Sequence, residues 1–568
     1  MTEAVGAFST IERTIFFVFV GLFLISTVSL LWKVDHAFLV TVPRRGGTLQ
    51  EGIIGSPRFI NPLLAISDAD KDLSALVYSG LLKLTPDGKL VPDLAATYTI
   101  SPDGLVYTFN LKDNIYFQDG KPVSADDIVF TISKAQDPSL KSPKLVNWAG
   151  VTVTEPNPKQ VIFTLKHPYS PFLENTTLGI LPKHIWQNIS ADEFPFSTYN
   201  SEPIGSGAYK LKGLKRDAGG IPTYYRFTPY NKYAGSEPYI SNLIVKFYRN
   251  EDDLVSAYRN GDIESVHGIA PENVPALGTK ANIQTADLPR IFGIFFNQSQ
   301  SSIFTDKIVR IALDRALDKK EIVKTVLKGF GTPIDGPIPP GLNAGSTTDA
   351  LPATTTDPAT LISDARQMLL NDGWKAGSDG ILVKDGTSPL RLAFSISTSD
   401  TPELTAAANA VAEQWRKIGA DVSVHIFQLG DLNQNVIRAR KYDALLFGQA
   451  VGPDLDFYPF WHSSQRNDPG LNVAEYANVK VDKLLEEARI TTDESTRISD
   501  IESFDAAIKQ DMPAIFLYSP KFIYVLPDSV KGSSFGEIIT PADRFNTIPN
   551  WYIETHKVWS IFASQNSK

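Results

Sequence analysis

The chain has 568 residues, 54 of them Lys or Arg and 63 Asp or Glu, so its formal net charge is −9, and its length suggests about three domain-sized units. This acidic balance argues against a nucleic-acid partner, because proteins that bind phosphate backbones carry basic patches. The absence of cysteine from the sequence excludes disulfides, thiol catalysis, thiolate metal sites and a lipid-modified N-terminal cysteine.

The first predicted element is an apolar helix near the N-terminus. Residues 14–32, TIFFVFVGLFLISTVSLLW, contain no charged side chain, and a bilayer core needs about 20 such residues of helix. The flanks lack the basic start and the small-residue cleavage site of a signal peptide. Apolar residues surround the helix on all sides, and the lack of a polar face argues against a buried core helix of a soluble domain. The pattern therefore predicts an uncleaved transmembrane anchor over 14–33, between a tail, 1–13, and a spacer, 34–45.

The charges that flank this helix bear on its orientation. Lys33, Arg44 and Arg45 follow the span, whereas Arg13 alone precedes it. Taken alone, this count would leave the large domain in the cytoplasm. The margin is small, and large domains translocate largely regardless of charge, so the rest of the chain has to decide the orientation.

After the spacer, the sequence predicts a folded region that begins with a strand at 48–54. A helix follows, and its apolar spacing is interrupted at Gly80. The segment 85–202 carries three Asp-Gly turn signals between alternating apolar runs, and a capping box from Ser124 to Asp127 that opens a helix. These features predict a β-rich subdomain.

From residue 203 onwards the predicted strands and helices are mixed. Residues 240–248 alternate as a strand, and the capped helix after them ends at Gly261. The clearest unit is 390–427, where strand, helix and strand follow one another and Pro402 stands at a first helical position. That order implies a right-handed crossover between parallel strands, and the fold class is therefore mixed α/β.

Motifs for metal, cofactor or nucleophilic chemistry were sought along the whole sequence. The seven histidines show no metal-binding spacing, and no nucleophile elbow, Walker loop or dinucleotide fingerprint occurs. The residues therefore predict no metal, no cofactor and no catalytic residue.

One concentrated polar and aromatic cluster occurs at 452–465, GPDLDFYPFWHSSQ. Asp454 and Asp456 alternate, so an extended strand would place both carboxylates on one side. Carboxylates rimmed by aromatic rings such as Trp461 suit the capture of a cationic or amino-terminal ligand group. Acid–base catalysis by the two aspartates, and aromatic rings that simply pack on the core, are the alternatives.

Several motifs taken together resemble the oligopeptide/dipeptide-type extracellular solute-binding proteins (family 5) of ABC importers. The signature region is LVPDLAATYTISPDGLVYTFNLKDNIYFQDGKPVSADDIVFTI, residues 90–132. Further matching motifs follow in the family's order, at 181–186, 203–211, 231–240, 259–265, 308–329, 371–374 and 511–520. The resemblance covers about residues 46–560. It implies a two-lobed periplasmic-binding-protein-like fold (type II, cluster C) that closes on its ligand and carries an extra β-rich subdomain.

Mapped onto this chain, the resemblance divides the region after the spacer into three units. Lobe I would comprise 46–84, 203–290 and 531–568. The β-rich subdomain would be 85–202, and lobe II would be 291–530. This division agrees with the pattern of predicted strands and helices.

The resemblance implies a membrane-tethered receptor, without catalysis or cofactor, that captures peptides between its lobes and delivers them to the permease subunits of an ABC importer. The N-terminal helix would replace the missing lipid-modified cysteine, and the ectodomain would be monomeric and lie on the extracytoplasmic side. The same fold with a non-peptide ligand, such as an oligosaccharide or a nickel chelate, is the alternative. A surface hydrolase that uses the two aspartates is a third hypothesis.

The resemblance also implies candidate ligand-binding residues. Tyr78, Ser79 and Gly80 match the segment whose backbone pairs with bound peptide in the family. Gln449 occupies the position of a usual tryptophan, and counting forward from it reaches Gly452 where the family has the aspartate that holds the ligand's ammonium group.

Two acids and one aromatic residue complete the set. Asp454 matches the later acid of the family's Asp-Pro pair and could take over the ammonium-binding role. Asp456 is its neighbour in the same cluster, and Trp461 is predicted as a pocket wall.

Overall fold

The computed structural model describes residues 9–342, 357–386, 389–452, 454–536 and 538–559, apart from the side chains of 36 and 37. Helices of eight residues or more in these ranges are α1 (Thr10–Phe38), α2 (Asp68–Val77), α3 (Ala125–Ala135), α4 (Glu251–Asn260), α5 (Lys307–Arg315), α6 (Lys319–Val326), α7 (Pro358–Asn371), α8 (Pro402–Lys417), α9 (Val479–Ile490) and α10 (Glu494–Asp511). Shorter helical turns cover Pro138–Leu140, Leu145–Trp148, Phe172–Asn175, Lys183–Trp186, Phe194–Phe196, Thr198–Asn200, Val274–Leu277, Ser302–Thr305, Leu429–Asp431, Leu432–Ile437, Tyr458–Trp461 and Ser463–Gln465. A longer 3-10 helix covers Pro541–Asn550.

The strands alternate with these helices along the whole chain. In the first half they are β1 (Leu39–Arg44), β2 (Gly46–Ile54), β3 (Leu82–Leu84), β4 (Leu90–Pro92), β5 (Ala95–Ile100), β6 (Val106–Leu111), β7 (Thr152–Asn157), β8 (Gln160–Thr164), β9 (Tyr209–Arg216), β10 (Pro222–Pro229), β11 (Ile240–Tyr248), β12 (Ser265–His267) and β13 (Ile283–Asp287). In the second half they are β14 (Arg290–Phe296), β15 (Gly331–Pro333), β16 (Trp374–Ala376), β17 (Leu382–Lys384), β18 (Leu390–Arg391), β19 (Ala393–Ser399), β20 (Asp421–Phe427), β21 (Ala444–Ala450), β22 (Ala514–Val525) and β23 (Glu554–Trp559). The predicted mixed α/β class is confirmed.

Helix α1 is the apolar helix predicted from the sequence, and it is longer than predicted at both ends. A capping box begins it, because Ser9 accepts a hydrogen bond from the Glu12 N–H and donates its own N–H to the Glu12 carboxylate. Its span Thr10–Asp35 has 26 residues with a mean hydropathy of 2.5, and its apolar core is not buried against the protein. A helix of that length extends about 39 Å, which exceeds the hydrocarbon thickness of a bilayer.

The spacer expected after this helix forms a paired strand. β1 begins directly after α1 and runs antiparallel to β23, with Cα partners from Leu39 opposite Trp559 to Arg44 opposite Glu554. We call these two strands the terminal ribbon. The sequence did not predict it, because short exposed strands with a mixed pattern carry little periodic signal.

One twelve-stranded sheet organises the remainder of the fold. Its main path is β20-β19-β21-β14-β22-β12-β2-β11-β10-β9, and β13 and β15 also pair with β22. β19 and β20 are parallel and flank α8, which confirms the crossover predicted for 390–427. The segment 85–202 contains a separate sheet in the order β5-β6-β8-β7.

Strand β22 joins the two halves of the large sheet. Its first half pairs with β14, and its second half pairs with β13 and β12. Ile515, Leu517 and Tyr518 belong to the apolar core built from residues after 290. Phe522 and Tyr524 belong instead to the core shared by the N-terminal strands and the segment 85–202. The chain therefore passes from one core to the other within this single strand.

A fully buried ion network stabilises the core around β2 and α2. The Arg544 guanidinium donates to Asp72 over 2.8 Å through two nitrogens, and to Glu51 over 2.9 and 3.2 Å. Tyr524 donates to Glu51 over 2.8 Å, and His267 lies 3.0 Å from Asp72. Burial alone would raise the pKa of Asp72, but the neighbouring Arg544 and His267 outweigh it and hold that pKa well below its usual range.

Candidate functional site

A cavity of about 530 Å³ lies where several distant parts of the chain meet. Its walls come mainly from 75–93, 144–178 and 539–549. Gly452 reaches it from the part of the chain that follows β21. A pocket of this size is suited to a small molecule or to part of a peptide.

One wall is the extended segment Tyr78–Gly80, which leaves the end of α2 and lines the cavity. Close backbone packing shapes this segment. A Cβ atom on Gly205 would collide with the Val77 carbonyl oxygen, and one on Gly80 would lie 2.5 Å from the Thr177 carbonyl oxygen. Only glycine permits such an approach. These contacts identify Gly205 and Gly80 as packing residues.

The same segment offers polar groups to a ligand. The Ser79 carbonyl accepts from the Ile180 N–H over 2.9 Å, and the Gly80 carbonyl accepts from the Leu94 N–H over 3.1 Å. Within the described ranges, the Tyr78 carbonyl and the Gly80 N–H have no hydrogen-bond partner. The Tyr78 hydroxyl is buried without a partner among the described residues, and burial raises its pKa. Such groups gain free energy when a ligand pairs with them.

Charged side chains of both signs also line the cavity. Burial raises the pKa of Asp93, although Lys83 and hydrogen bonding by Ser79 and Tyr233 oppose the shift. Burial likewise lowers the pKa of Lys144, which lines another part of the wall. A cavity that holds both signs of charge suits a zwitterionic ligand.

Asp543 adds a second buried carboxylate to the cavity wall. It accepts from the Thr540 and Ile539 N–H groups over 2.7 and 3.0 Å, and burial raises its pKa. Asp93 lies within the signature region and could have been found there. Asp543 and Lys144 could not have been found from the sequence, because only the tertiary fold brings them to the cavity.

The two aspartates of the 452–465 cluster do not lie on an extended strand, which corrects the sequence expectation. Leu455 between them has a φ of 53°, and each aspartate accepts a hydrogen bond from the N–H two residues further on. Aspartate side chains stabilise such turns in competition with strands. The two carboxylates therefore have different surroundings.

Asp456 forms an ion pair with Arg489. Its carboxylate accepts bonds of 2.8 to 3.1 Å from the Arg489 guanidinium. Arg489 in turn lies 4.2 Å from the centre of the Tyr458 ring. Both Asp456 carboxylate oxygens are therefore engaged by Arg489.

Asp454 lies next to the cavity at Gly452. A Cβ atom on Gly452 would be 2.5 Å from the Asp454 Oδ1 atom and 3.6 Å from the Glu174 Oε2 atom, so both carboxylates flank this glycine. Burial, followed by the charge of Asp456, raises the pKa of Asp454 to about 6. A buried carboxylate of this kind gains from a cationic ligand group.

Gln449 and Trp461, the remaining predicted site residues, have different surroundings. Gln449 stands on β21 opposite Ile291, and its buried amide nitrogen and oxygen have no partner in the part of the chain that the structure describes. Trp461 is fully buried and packs against Phe295 and Phe516. It belongs to the core, as the alternative interpretation of the aromatic cluster had it, and it does not line the cavity.

Comparison with known proteins gives consistent matches over nearly the whole chain. Residues 89–469 match the family described as Bacterial extracellular solute-binding proteins, family 5 Middle. The oligopeptide-binding protein AppA of Bacillus subtilis (strain 168) is 29% identical over 525 residues, which cover 90% of this chain and 92% of AppA.

Solved structures show the same relationship. AppA from Bacillus subtilis, in complex with a nonapeptide, has a TM-score of 0.66 at 28% identity and covers 90% of this chain and 100% of its own. NikZ from Campylobacter jejuni, in complex with Ni(L-His), has a TM-score of 0.65 at 27% identity and covers 89% and 99%.

These matches confirm the family and the periplasmic-binding-protein fold predicted from the motifs. The family match alone covers more than half of the chain, and the relatives, which match 90% of it, extend beyond that region. This chain belongs to the bacterial extracellular solute-binding proteins of family 5.

Proposed function

We propose that this protein captures peptides in the cavity beside Tyr78–Gly80 and delivers them to the permease subunits of an ABC importer. The observation that carries the proposal is that the Tyr78 carbonyl and the Gly80 N–H, in residues of the cavity wall, have no hydrogen-bond partner among the described residues. An extended peptide backbone can add to such groups as a strand does. The relatives named as peptide-binding proteins support this ligand class. The protein is a receptor, with no catalysis of its own.

The proposed division into lobes explains how binding would be transmitted. Lobe I with its β-rich subdomain holds most of the cavity wall, and Gly452 belongs to lobe II. The chain passes between the two apolar cores at 288–290 and again inside β22, near 519–521, so the second crossing precedes the boundary at 530 that the sequence predicted. Two adjacent crossing strands can bend as a hinge. Closure of lobe II on the ligand would then present a shape that the permease recognises.

We also propose that α1 is retained as a single-pass membrane anchor, with a monomeric ectodomain on the extracytoplasmic side. Its length and exposed apolar surface support a span. Its continuation into the terminal ribbon supports retention, because β1 follows the helix directly and pairs with β23, and Asp35 near the helix end accepts a hydrogen bond from the Trp559 indole N–H. An extracellular family supports the orientation against the charge count.

Native mass spectrometry of the full chain, released from detergent micelles without refolding, tests the ligand class. Closure buries ligand, so we expect a ladder of co-purified peptide masses. A single non-peptide mass would favour the alternative, a non-peptide solute. Empty protein that no peptide stabilises in a thermal-shift screen would contradict the proposal, because a bound ligand raises stability by mass action.

Asp454→Asn tests the proposed ammonium contact. Removing the carboxylate is expected to weaken peptide binding at least about tenfold, as loss of a buried charge partner does. Isothermal titration with a peptide identified by mass spectrometry measures the effect. Asp385→Asn, at an exposed acid, is the matched control and should bind normally. Unchanged affinity in Asp454→Asn would remove Asp454 from the site.

The same contact predicts a pH dependence. The pKa of Asp454 is raised to about 6, and only the ionised carboxylate attracts an ammonium group. Between pH 7 and pH 5, affinity is therefore expected to fall as the pH drops below 6, approaching about tenfold per pH unit. This range lies below the pKa of a peptide α-amino group, about 7.7–8.0, so the ligand keeps its ammonium group throughout. Titrations from pH 7 to pH 5 measure the fall, and Asp454→Asn should give a flat profile. A flat profile in the unaltered protein would contradict the assignment.

A further inference from the structure

The terminal ribbon places a distant part of the chain at the end of the apolar helix. No residue separates the end of α1, Phe38, from the start of β1, Leu39. Trp559 is the Cα partner of Leu39 in the antiparallel register. The last residue of β23 therefore lies at the point where the proposed anchor leaves the bilayer.

Two large aromatic side chains stack at this point, and a third lies earlier on α1. Trp559 stacks on Phe38 with ring centres 6.4 Å apart, and its indole N–H donates to Asp35 over 2.8 Å. Trp32, Phe38 and Trp559 remain 60%, 52% and 43% exposed. Trp32 precedes Phe38 by about 9 Å along the helix axis. Exposed tryptophans with a polar N–H are typical of the layer between headgroups and acyl chains.

The surrounding charges fit the same environment. Lys33 on α1 and Lys557 on β23 are exposed, and Lys557 lies opposite Thr41 in the ribbon. Asp35 is engaged by the Trp559 indole. Lysine side chains at this depth reach phosphate and other anionic headgroups.

We infer that β23 is a second membrane-contacting element, in which Trp559 enters the interfacial layer of the bilayer beside the end of α1. The inference rests on the proposed anchor and goes beyond it, because a simple tether needs no contact from the far end of the chain. The partner is the lipid headgroup layer, and the ribbon is the structure that brings Trp559 to it.

Site-directed spin labelling of the full chain in lipid nanodiscs tests this, and the absence of native cysteine makes single labels straightforward. A nitroxide at Val558→Cys keeps Trp559 in place. Labels at Thr555→Cys, at the other end of β23, and at Val146→Cys, 80% exposed on the body, are the controls. Phe23→Cys, in the middle of α1, reports on the anchor itself.

At position 558, collisions with a water-soluble nickel chelate should be at least about fivefold fewer than at 146, because the interface excludes the hydrated reagent. Position 555 should be intermediate, and Trp559→Ala should restore the collisions at 558. Equal accessibility at 558 and 146 would overturn the inference. If position 23 shows lipid depth in that case, the anchor stands and only the β23 contact fails. If position 23 is also water-accessible, the proposed anchor has failed with it. Protection at 558 that depends on the protein-to-lipid ratio would indicate a second copy as the partner and would also overturn it.

Discussion

Arg544→Met is expected to lower the free energy of unfolding by about 3–5 kcal/mol, the largest effect of any single substitution considered for this protein. The guanidinium is fully buried and is the cation shared by Glu51 and Asp72, which are buried as well. Removing it leaves two carboxylates without their cation in a region of low polarity. Chemical denaturation with two spectroscopic probes measures the loss. Arg249→Met, at an exposed ion pair, is the control and should cost less than about 1 kcal/mol.

The pH dependence of that variant separates lost charge pairing from lost packing. In the unaltered protein the pKa of Asp72 is held low, so its contribution to stability is present above the unfolded-state pKa of about 3.9 and is lost in stronger acid. Without Arg544 the buried Asp72 carboxylate takes up a proton more readily. The difference in stability between the two proteins should therefore shrink as the pH falls from 7 to 5. A difference that is independent of pH would contradict the electrostatic explanation.

Gly205→Ala is expected to weaken peptide binding at least about tenfold and to destabilise the fold by about 1–3 kcal/mol, as overpacking does. The added methyl group collides with the Val77 carbonyl, and relief of that collision has to displace the neighbouring Tyr78–Gly80 wall. Calorimetric titration and thermal denaturation measure the two effects.

Gly213→Ala is the matched control for this substitution. Gly213 lies on β9 close to Gly205 in sequence, and a Cβ atom there would have no heavy atom of the described residues within 4 Å. Its stability and affinity should match those of the unaltered protein. Normal ligand affinity in Gly205→Ala would show that the wall does not need this close packing.

Local signals predicted much of the fold. Ser124 and Asp127 form the capping box expected at the start of α3, and Gly261 ends α4 in the left-handed conformation that its position predicts. These features depend on neighbours within a few residues, so a sequence contains them directly. The motif order added the family and the two-lobed architecture.

Contacts between residues far apart in the chain were not predicted from the sequence. Arg544 and Glu51 are separated by 493 positions. No local sequence pattern around either residue indicates that the two form an ion pair. The turn at Leu455 depends on two aspartate side chains that favour local hydrogen bonds over a strand. Sequence reasoning selected Tyr78–Gly80 and Asp454 beside the cavity, yet it missed Asp543 and Lys144.

The terminal ribbon determines the distance between the end of α1 and the body of the protein. A flexible tether of twelve residues would let the ligand cleft range over distances of up to about 40 Å from the bilayer surface. The paired strand β1 instead has six residues and a nearly constant length of about 20 Å. With α1 as the proposed anchor, that length would bound the distance between the membrane and the body of the protein. It would also narrow the volume that the body explores, which would raise its effective concentration at the proposed permease. Lengthening both strands by two residues would change this distance by about 7 Å. The number of paired residues in the ribbon would therefore determine how far the body of the protein stands from the membrane.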